Sequence, residues 1–260
     1  MKLRHIHIPT LLSYPTASHI QSQIVSRQLA HKAALSQRTL GAHPNTHSPS
    51  TPPAPTILTF SPPPTYTAGL RSTNRLTPNA IAELRATGAD FYYAPRGGQT
   101  TFHGPGQLVA YPILDLRAHG LSPRCYVRLL EDAVIETCKA YGVRAYTTDD
   151  VGVWTGEKGE ERKIAAVGVH MRRHVTVHGV GLNVATDLGW FDRIVACGIE
   201  GMRSASLVGE GVEGVDVEGV GRRLVGVLAR RLDGVDGVED VEGAERDEMV
   251  RIAEMEEDNS

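Results

Sequence analysis

Four short segments of this chain carry residue types that can do chemistry. Arg96 to Gln107, RGGQTTFHGPGQ, gathers four glycines, a guanidinium and an imidazole. A stretch with so few Cβ atoms lets backbone N–H groups approach a ligand closely. It lacks the lysine of a phosphate loop and the glycine spacing of a dinucleotide fold, so no nucleotide follows from it, and a structural turn is the plain alternative. In Arg162 to Gly168, RKIAAVG, Lys163 precedes a run of small apolar residues. A lysine at a strand edge often snorkels to water, but it can also serve as a fixed cation or a base. His178 to Val184, HGVGLNV, flanks a glycine pair with His178 and Asn183, either of which could satisfy neighbouring backbone groups. Val195 to Ile199, VACGI, sets Cys197 before Gly198, where a thiol can act as nucleophile and the next N–H as an oxyanion donor.

Elements of regular structure must hold these segments. Ile20, Ile24, Val25 and Leu29 recur at helical spacing and predict a helix over Thr16 to Ala34. Thr56 to Phe60 and Leu108 to Leu114 read as strands, the second placed directly behind the Gly-rich loop. Ser122-Pro123 opens a helix whose inward stripe is Val127, Leu130, Val134, Cys138 and Tyr141, with Gly142 as its stop. On that stripe Cys138 is a core residue, while Cys125 lies off it. Val151 to Trp154, Ile164 to His170, His174 to Val177 and Gly181 to Val184 are short β-rich runs of an antiparallel or mixed sheet. Val217, Val220, Leu224, Val227, Leu228 and Leu232 share one face of a closing helix.

The chain has 260 residues, and its 41% hydrophobic and 22% charged content is that of a soluble globular domain. No run approaches the roughly 20 apolar residues of a membrane span. A net charge of −3 supplies no global attraction to nucleic acid. Three widely spaced cysteines without a Cys-x-x-Cys pair argue against a disulfide framework and against a zinc site, and no metal is expected. Charge is unevenly spread: no acid precedes Glu83, and the stretch from Glu210 onward is strongly acidic. The acid-free front has the composition of an organelle transit peptide, although its leucines and isoleucines suggest that part of it folds. Gly41 to Pro55 holds five prolines and few apolar side chains, and is expected to be a disordered insertion. The expected layout is one domain over 1–232, with that insertion at 41–55 and a solvated, acidic low-complexity tail over 233–260.

Taken together and in this order, the four segments resemble the lipoyl(octanoyl) transferase family. The most specific stretch is RGGQTTFHGPGQLVAYPILDL, Arg96 to Leu116. Gly152-Val153-Trp154, Lys163-Ile164-Ala165, His178-Gly179 with Leu182-Asn183-Val184, and Cys197-Gly198-Ile199 support it. The resemblance implies an α/β fold, a mixed sheet flanked by helices like the catalytic domain of biotin and lipoate protein ligases. It implies transfer of octanoate from acyl carrier protein to a lysine of a lipoyl domain through a cysteine thioester, with no cofactor. The recipients would be lipoyl domains of 2-oxoacid dehydrogenase complexes or the glycine cleavage H protein, in the mitochondrion of a eukaryote or the cytoplasm of a bacterium. Carried over by position, Cys197 is the acyl-bearing nucleophile and Lys163 its activator. Substrate contacts fall on Arg96, Gly97, Gly98, Gln99, Thr100, Thr101, Phe102 and His103, on Ala166, Val167 and Gly168, and on Gly179, Val180 and Gly181. The chain departs from the family pattern at Ala196, usually proline, at Gly181, usually alanine, and at Phe60-Ser61, usually Glu-His. An ATP-dependent lipoate or biotin ligase on the same fold, and a non-catalytic module that binds carrier protein or lipoyl domains, are the rival readings.

Overall fold

The computed structural model describes residues 1–39, 51–72 and 76–257. Along the chain run β1 (Lys2–Leu11), α1 (Tyr14–Thr39), β2 (Thr56–Ser61), β3 (Thr65–Ala68), α2 (Pro78–Ala86), β4 (Asp90–Tyr93), β5 (Thr101–His103) and β6 (Gln107–Ile113). Then follow α3 (Pro123–Ala140), β7 (Ala145–Tyr146), β8 (Val153–Thr155), β9 (Arg162–Arg172), β10 (Val175–Asn183), β11 (Arg203–Ser204), α4 (Val217–Arg231), β12 (Gly237–Val241) and α5 (Ala244–Glu257). The large sheet has the order β12-β1-β2-β6-β10-β9-β8-β7, with β11 beside β9, and β4-β3-β5 form a second, small sheet. The large sheet is mixed, since β1 runs parallel to both of its neighbours while β2, β6, β10 and β9 pair antiparallel.

Strand alternation divides the core between the two faces of the large sheet. On β6, Leu108 and Ala110 join Tyr126, Leu130 and Val134 of α3 and Val220, Leu224 and Leu228 of α4. The intervening Val109, Tyr111 and Ile113 join Ile20, Ile24 and Val25 of α1 and Met249 and Ala253 of α5. The Ser122 side chain caps α3 by accepting the Cys125 N–H, with Pro123 just inside the helix, as the sequence predicts. Two predicted β-rich runs, broken at Gly179, are one continuous strand in the structure, β10. It forms a long hairpin with β9, turned by left-handed Arg173 and His174.

Two expectations from composition need correction, and one is met: the acid-free front folds, as β1 and α1, with Leu3, Ile6, Ile8 and Ile20 buried. The acidic stretch after residue 233 is not a solvated tail: β12 pairs with β1, α5 packs on α1, and Val241, Met249 and Ala253 are buried. The two biased ends meet, with Arg4 on Glu245 at 2.6 Å and His5 Nδ1 on Asp240 at 2.7 Å. Residues 41–50 of the Pro-rich insertion lie outside the described residues. Its end is held, since Gln28 Nε2 donates to the carbonyls of Pro53 and Ala54.

Truncation before Gly234 should therefore cost stability. Re-exposing Val241 and Met249 and uncovering α1 should lower the unfolding free energy by about 2–4 kcal/mol, or roughly 5–15 °C in the melting midpoint. A truncated chain that melts with the full one would restore the solvated-tail reading.

Candidate active site

The register of the β9–β10 hairpin builds the floor of the cavity that gathers the sequence-predicted residues. Ala166 lies opposite Gly181 and Gly168 opposite Gly179, so on one face two cross-strand pairs carry almost no side chain. Above them opens a cavity of about 370 Å³, at the small end of ligand pockets. Its far wall is Tyr14, Tyr111 and His178, and its polar side holds Arg96, Lys163 and Cys197. Phe60 backs this wall, with its ring edge-on to Tyr111 at 5.2 Å, and the neighbouring Ser61 Oγ approaches the Gly104 carbonyl at 3.4 Å. The Phe60-Ser61 departure thus leaves a packed wall.

Of the residues singled out by sequence, Gly97, Gly98, Gln99, Thr101, His103, Val167 and Val180 also line this cavity. Thr100 and Phe102 do not. On β5, Thr101 and His103 face the cavity, while Phe102 points into the small-sheet core and stacks on Trp190 at 5.1 Å. The Thr100 carbonyl accepts the Cys197 N–H at 2.8 Å, which ties the Gly-rich loop to the cysteine turn. Gly198 has φ 73°, a conformation that strains any L side chain, and the Gln99 amide packs against it where a Cβ would sit. Cys197 itself is half-buried with φ 57°, a left-handed conformation that costs a non-glycine residue about 1–3 kcal/mol and concentrates at functional sites. One expectation fails here: the Gly198 N–H is not free for an oxyanion, because it donates to the Val195 carbonyl at 2.9 Å.

Arg96 is a buried cation whose hydrogen bonds all end on neutral oxygens. It donates to the Gly97 and Gln99 carbonyls and to the carbonyl and hydroxyl of Thr67. Lys163 is 5% exposed, and its ammonium lies 4.8 Å from the Trp154 ring centroid. Neither cation has a carboxylate partner among the described residues.

A chain of side-chain amides fixes the imidazole of His103. Asn183 Nδ2 donates to the Ala205 carbonyl, so its oxygen accepts from Gln107 Nε2, and the Gln107 oxygen accepts from His103 Nδ1–H. His103 Nε2 then carries the lone pair. Burial, reinforced by the Arg96 charge, pushes the His103 pKa down to about 4 and the His178 pKa down to about 3. Both rings are neutral at physiological pH. Gln107, Tyr14 and Tyr111 escaped the sequence reading. Gln107 closes the Gly-rich motif and could have been suspected there, but Tyr14 and Tyr111 enter the site only through the packing of α1 against β6.

The chain matches the family model described as the lipoyl protein ligase A/B catalytic domain over residues 30–229. It is 41% identical over 232 residues to a Schizosaccharomyces pombe protein named "Probable octanoyltransferase", covering 87% of this chain and 96% of that one. It is 46% identical over 196 residues to the Danio rerio mitochondrial octanoyl-(acyl-carrier-protein):protein N-octanoyltransferase LIPT2, covering 75% and 77%. Among solved structures, lipoate-protein ligase A bound with ATP superposes with a TM-score of 0.66 at 14% identity, over 97% of this chain and 94% of that one.

Two measurements test this site. His103 and His178 ionise in the unfolded chain near pH 6.5 but only near 4 and 3 in the fold, so the unfolded state binds more protons between those values. Their contribution is complete above about pH 6.5 and lost as pH falls through the folded values, so the melting temperature should drop steadily from pH 6.5 to 4. A flat profile there would show that the rings are not held neutral. Burial also pushes the Cys138 thiol up to about 12. Brief iodoacetamide treatment at pH 7.5 should therefore label Cys197 and exposed Cys125 but leave Cys138 unlabelled until unfolding.

Proposed function

This chain belongs to the lipoyl protein ligase A/B catalytic-domain family and is an octanoyltransferase of protein lipoylation, and from that premise we propose that Cys197 carries the octanoyl group as a thioester. One observation carries this reading. A half-buried thiol on a left-handed turn and a buried lysine with no carboxylate partner among the described residues line the same small-floored cavity.

Lys163 first takes the Cys197 proton, giving a thiolate beside an ammonium. The thiolate attacks the carbonyl carbon of the octanoyl carrier thioester, the carrier C–S bond breaks, and Lys163 returns the proton to the departing carrier thiolate. The acceptor lysine, as a free amine, then attacks the acyl-enzyme. Its proton passes to Lys163 while Sγ leaves as thiolate, which restores the thiolate–ammonium pair for the next attack. No nucleotide enters these steps, in contrast to a ligase on the same fold. The octanoyl chain lies over Ala166, Gly168, Gly179 and Gly181, where side chains would otherwise occupy its path. The donor is octanoyl-acyl carrier protein. The recipients are lipoyl domains of 2-oxoacid dehydrogenase complexes or the glycine cleavage H protein, within the mitochondrion in a eukaryotic source.

Incubation with octanoyl carrier protein without ATP should add one octanoyl group, and peptide mapping should place it on Cys197. A group on Cys125 or Cys138, or an absolute need for ATP, would overturn the reading. Lys163→Ala should slow acylation by about a hundred-fold or more, the usual loss for a proton-transfer group. Lys163→Arg keeps the charge without a usable base, so it should retain more acylation than Lys163→Ala while remaining poor in transfer to the amine.

A further inference from the structure

The arrangement around Lys163 assigns a role to a residue that the transfer chemistry itself does not use. Lys163 is buried on β9, and its ammonium lies over the face of Trp154 on β8, 4.8 Å from the ring centroid. The two strands are out of simple register there: Val153 pairs with Ala165 but Trp154 pairs with Lys163, which leaves Ile164 as an extra residue on β9. A bulge of this kind re-aims the side chains on either side of it. The indole is also anchored, because its Nε1–H donates to the Asp150 carbonyl at 3.1 Å and the side chain is 5% exposed.

Gly152, two residues earlier, completes the seat. It has φ 125°, and a Cβ there would lie 2.5 Å from Lys163 Cε. Its N–H is held by Oε1 of buried Glu131 from α3, at 2.9 Å. The lysine stem is thus threaded between a residue without a side chain and an indole face. The charged and titratable groups around it are Glu131 on α3, Asp149 and Asp150 at the cavity rim, Cys197, and Arg96 with neutral His103 and His178 across the cavity. None forms an ion pair with Lys163 among the described residues.

We propose that Trp154 is a positioning residue of the acyl transfer: its indole face holds the Lys163 ammonium in the cavity wall while leaving that charge available to Cys197. This rests on the reading of Lys163 as the activator of Cys197. A carboxylate partner would hold an ammonium more tightly, but it would also spend the positive charge that a thiolate needs. An aromatic face attracts the cation through its quadrupole, adds no negative charge and cannot take the proton. Such a contact favours the charged amine over the neutral one when the site is dry.

The test is a double-mutant cycle on octanoyl-enzyme formation, followed by rapid-quench intact mass with octanoyl carrier protein as donor across pH 6–10. Trp154→Leu should slow acylation ten- to thirty-fold at neutral pH and move the alkaline limb of the profile about one pH unit lower, with Trp154→Phe in between. In the Lys163→Ala background the same Trp154→Leu change should alter the rate less than two-fold, because the group it acts through is gone. An equal loss in both backgrounds with an unmoved alkaline limb would make Trp154 a packing residue and overturn the proposal. So would a Trp154→Leu enzyme of full activity. If Trp154→Leu does not fold, mono- to trifluorinated tryptophan incorporated in a Trp190→Phe background keeps the shape and weakens the π face. The rate should then fall with each fluorine, and a flat series overturns the proposal. A Lys163→Ala enzyme that acylates normally would sink the parent reading and this one together, whereas a slow Lys163→Ala with a silent Trp154 sinks only this one.

Discussion

The burial of Arg96 without an acidic partner is the constraint on which the rest of the site depends. A guanidinium removed from water is costly unless its donors are filled, and here neutral oxygens of Thr67, Gly97 and Gln99 fill them. Thr67 lies on the small sheet, and Gly97 and Gln99 lie in the Gly-rich loop, so one side chain fastens the small sheet to that loop. The loop in turn holds the cysteine turn through the Thr100 carbonyl, which accepts the Cys197 N–H. Had a carboxylate neutralised Arg96, the same scaffold could form, but the cavity would lose a positive charge. The arrangement accepts a cost in stability and keeps the cavity electropositive, as the proposed thiolate and oxyanion would require.

Much of this was legible in the sequence. Helix α3 announced itself through Ser122, Pro123 and an apolar stripe, because capping and amphipathic spacing are local signals. Lys163, Cys197 and the Gly-rich loop were legible as a set through family resemblance, although each was ambiguous alone. The small-residue floor was misread as a break between two strands. A glycine normally weakens a strand, and only the register of Gly179 and Gly181 against Gly168 and Ala166 shows that here it clears space for a ligand. Strands β3, β4 and β5 escaped because they are three or four residues long and their burial comes from α2 and the Trp190 turn, which local spacing cannot reveal.

The charge asymmetry was visible but its meaning was not. An acid-free beginning and an acid-rich end invite separate explanations when read along the chain. In space, β12 lies parallel to β1, and Lys2, Arg4 and His5 face Asp236, Glu245 and Asp240. The exposed Lys2 and Arg4 pairs contribute only about 0–1 kcal/mol each, so the apolar contacts of Val241 and Met249 hold the strand and the charges help to select its partner. Composition alone cannot distinguish a solvated charge run from one half of an interface within the chain.

Several destabilising features meet within one small volume: an open cavity, two buried cations without acids, and a cysteine in a left-handed turn. Each would be expected to relax in a soft surrounding, by collapse of the cavity, rotation of the lysine to water, or a flip of the turn. The structure denies each escape by a separate device. Tyr111 cannot fall into the cavity, because Phe60 backs it and His178 meets its ring edge-on at 5.2 Å. Lys163 is held between Gly152 and the Trp154 face, and Cys197 is fixed by its own N–H on Thr100. These devices draw on α1, β2, β8 and the Gly-rich loop, elements far apart in sequence. The two cores on either side of the large sheet therefore set the geometry of the site as much as the residues that line it do.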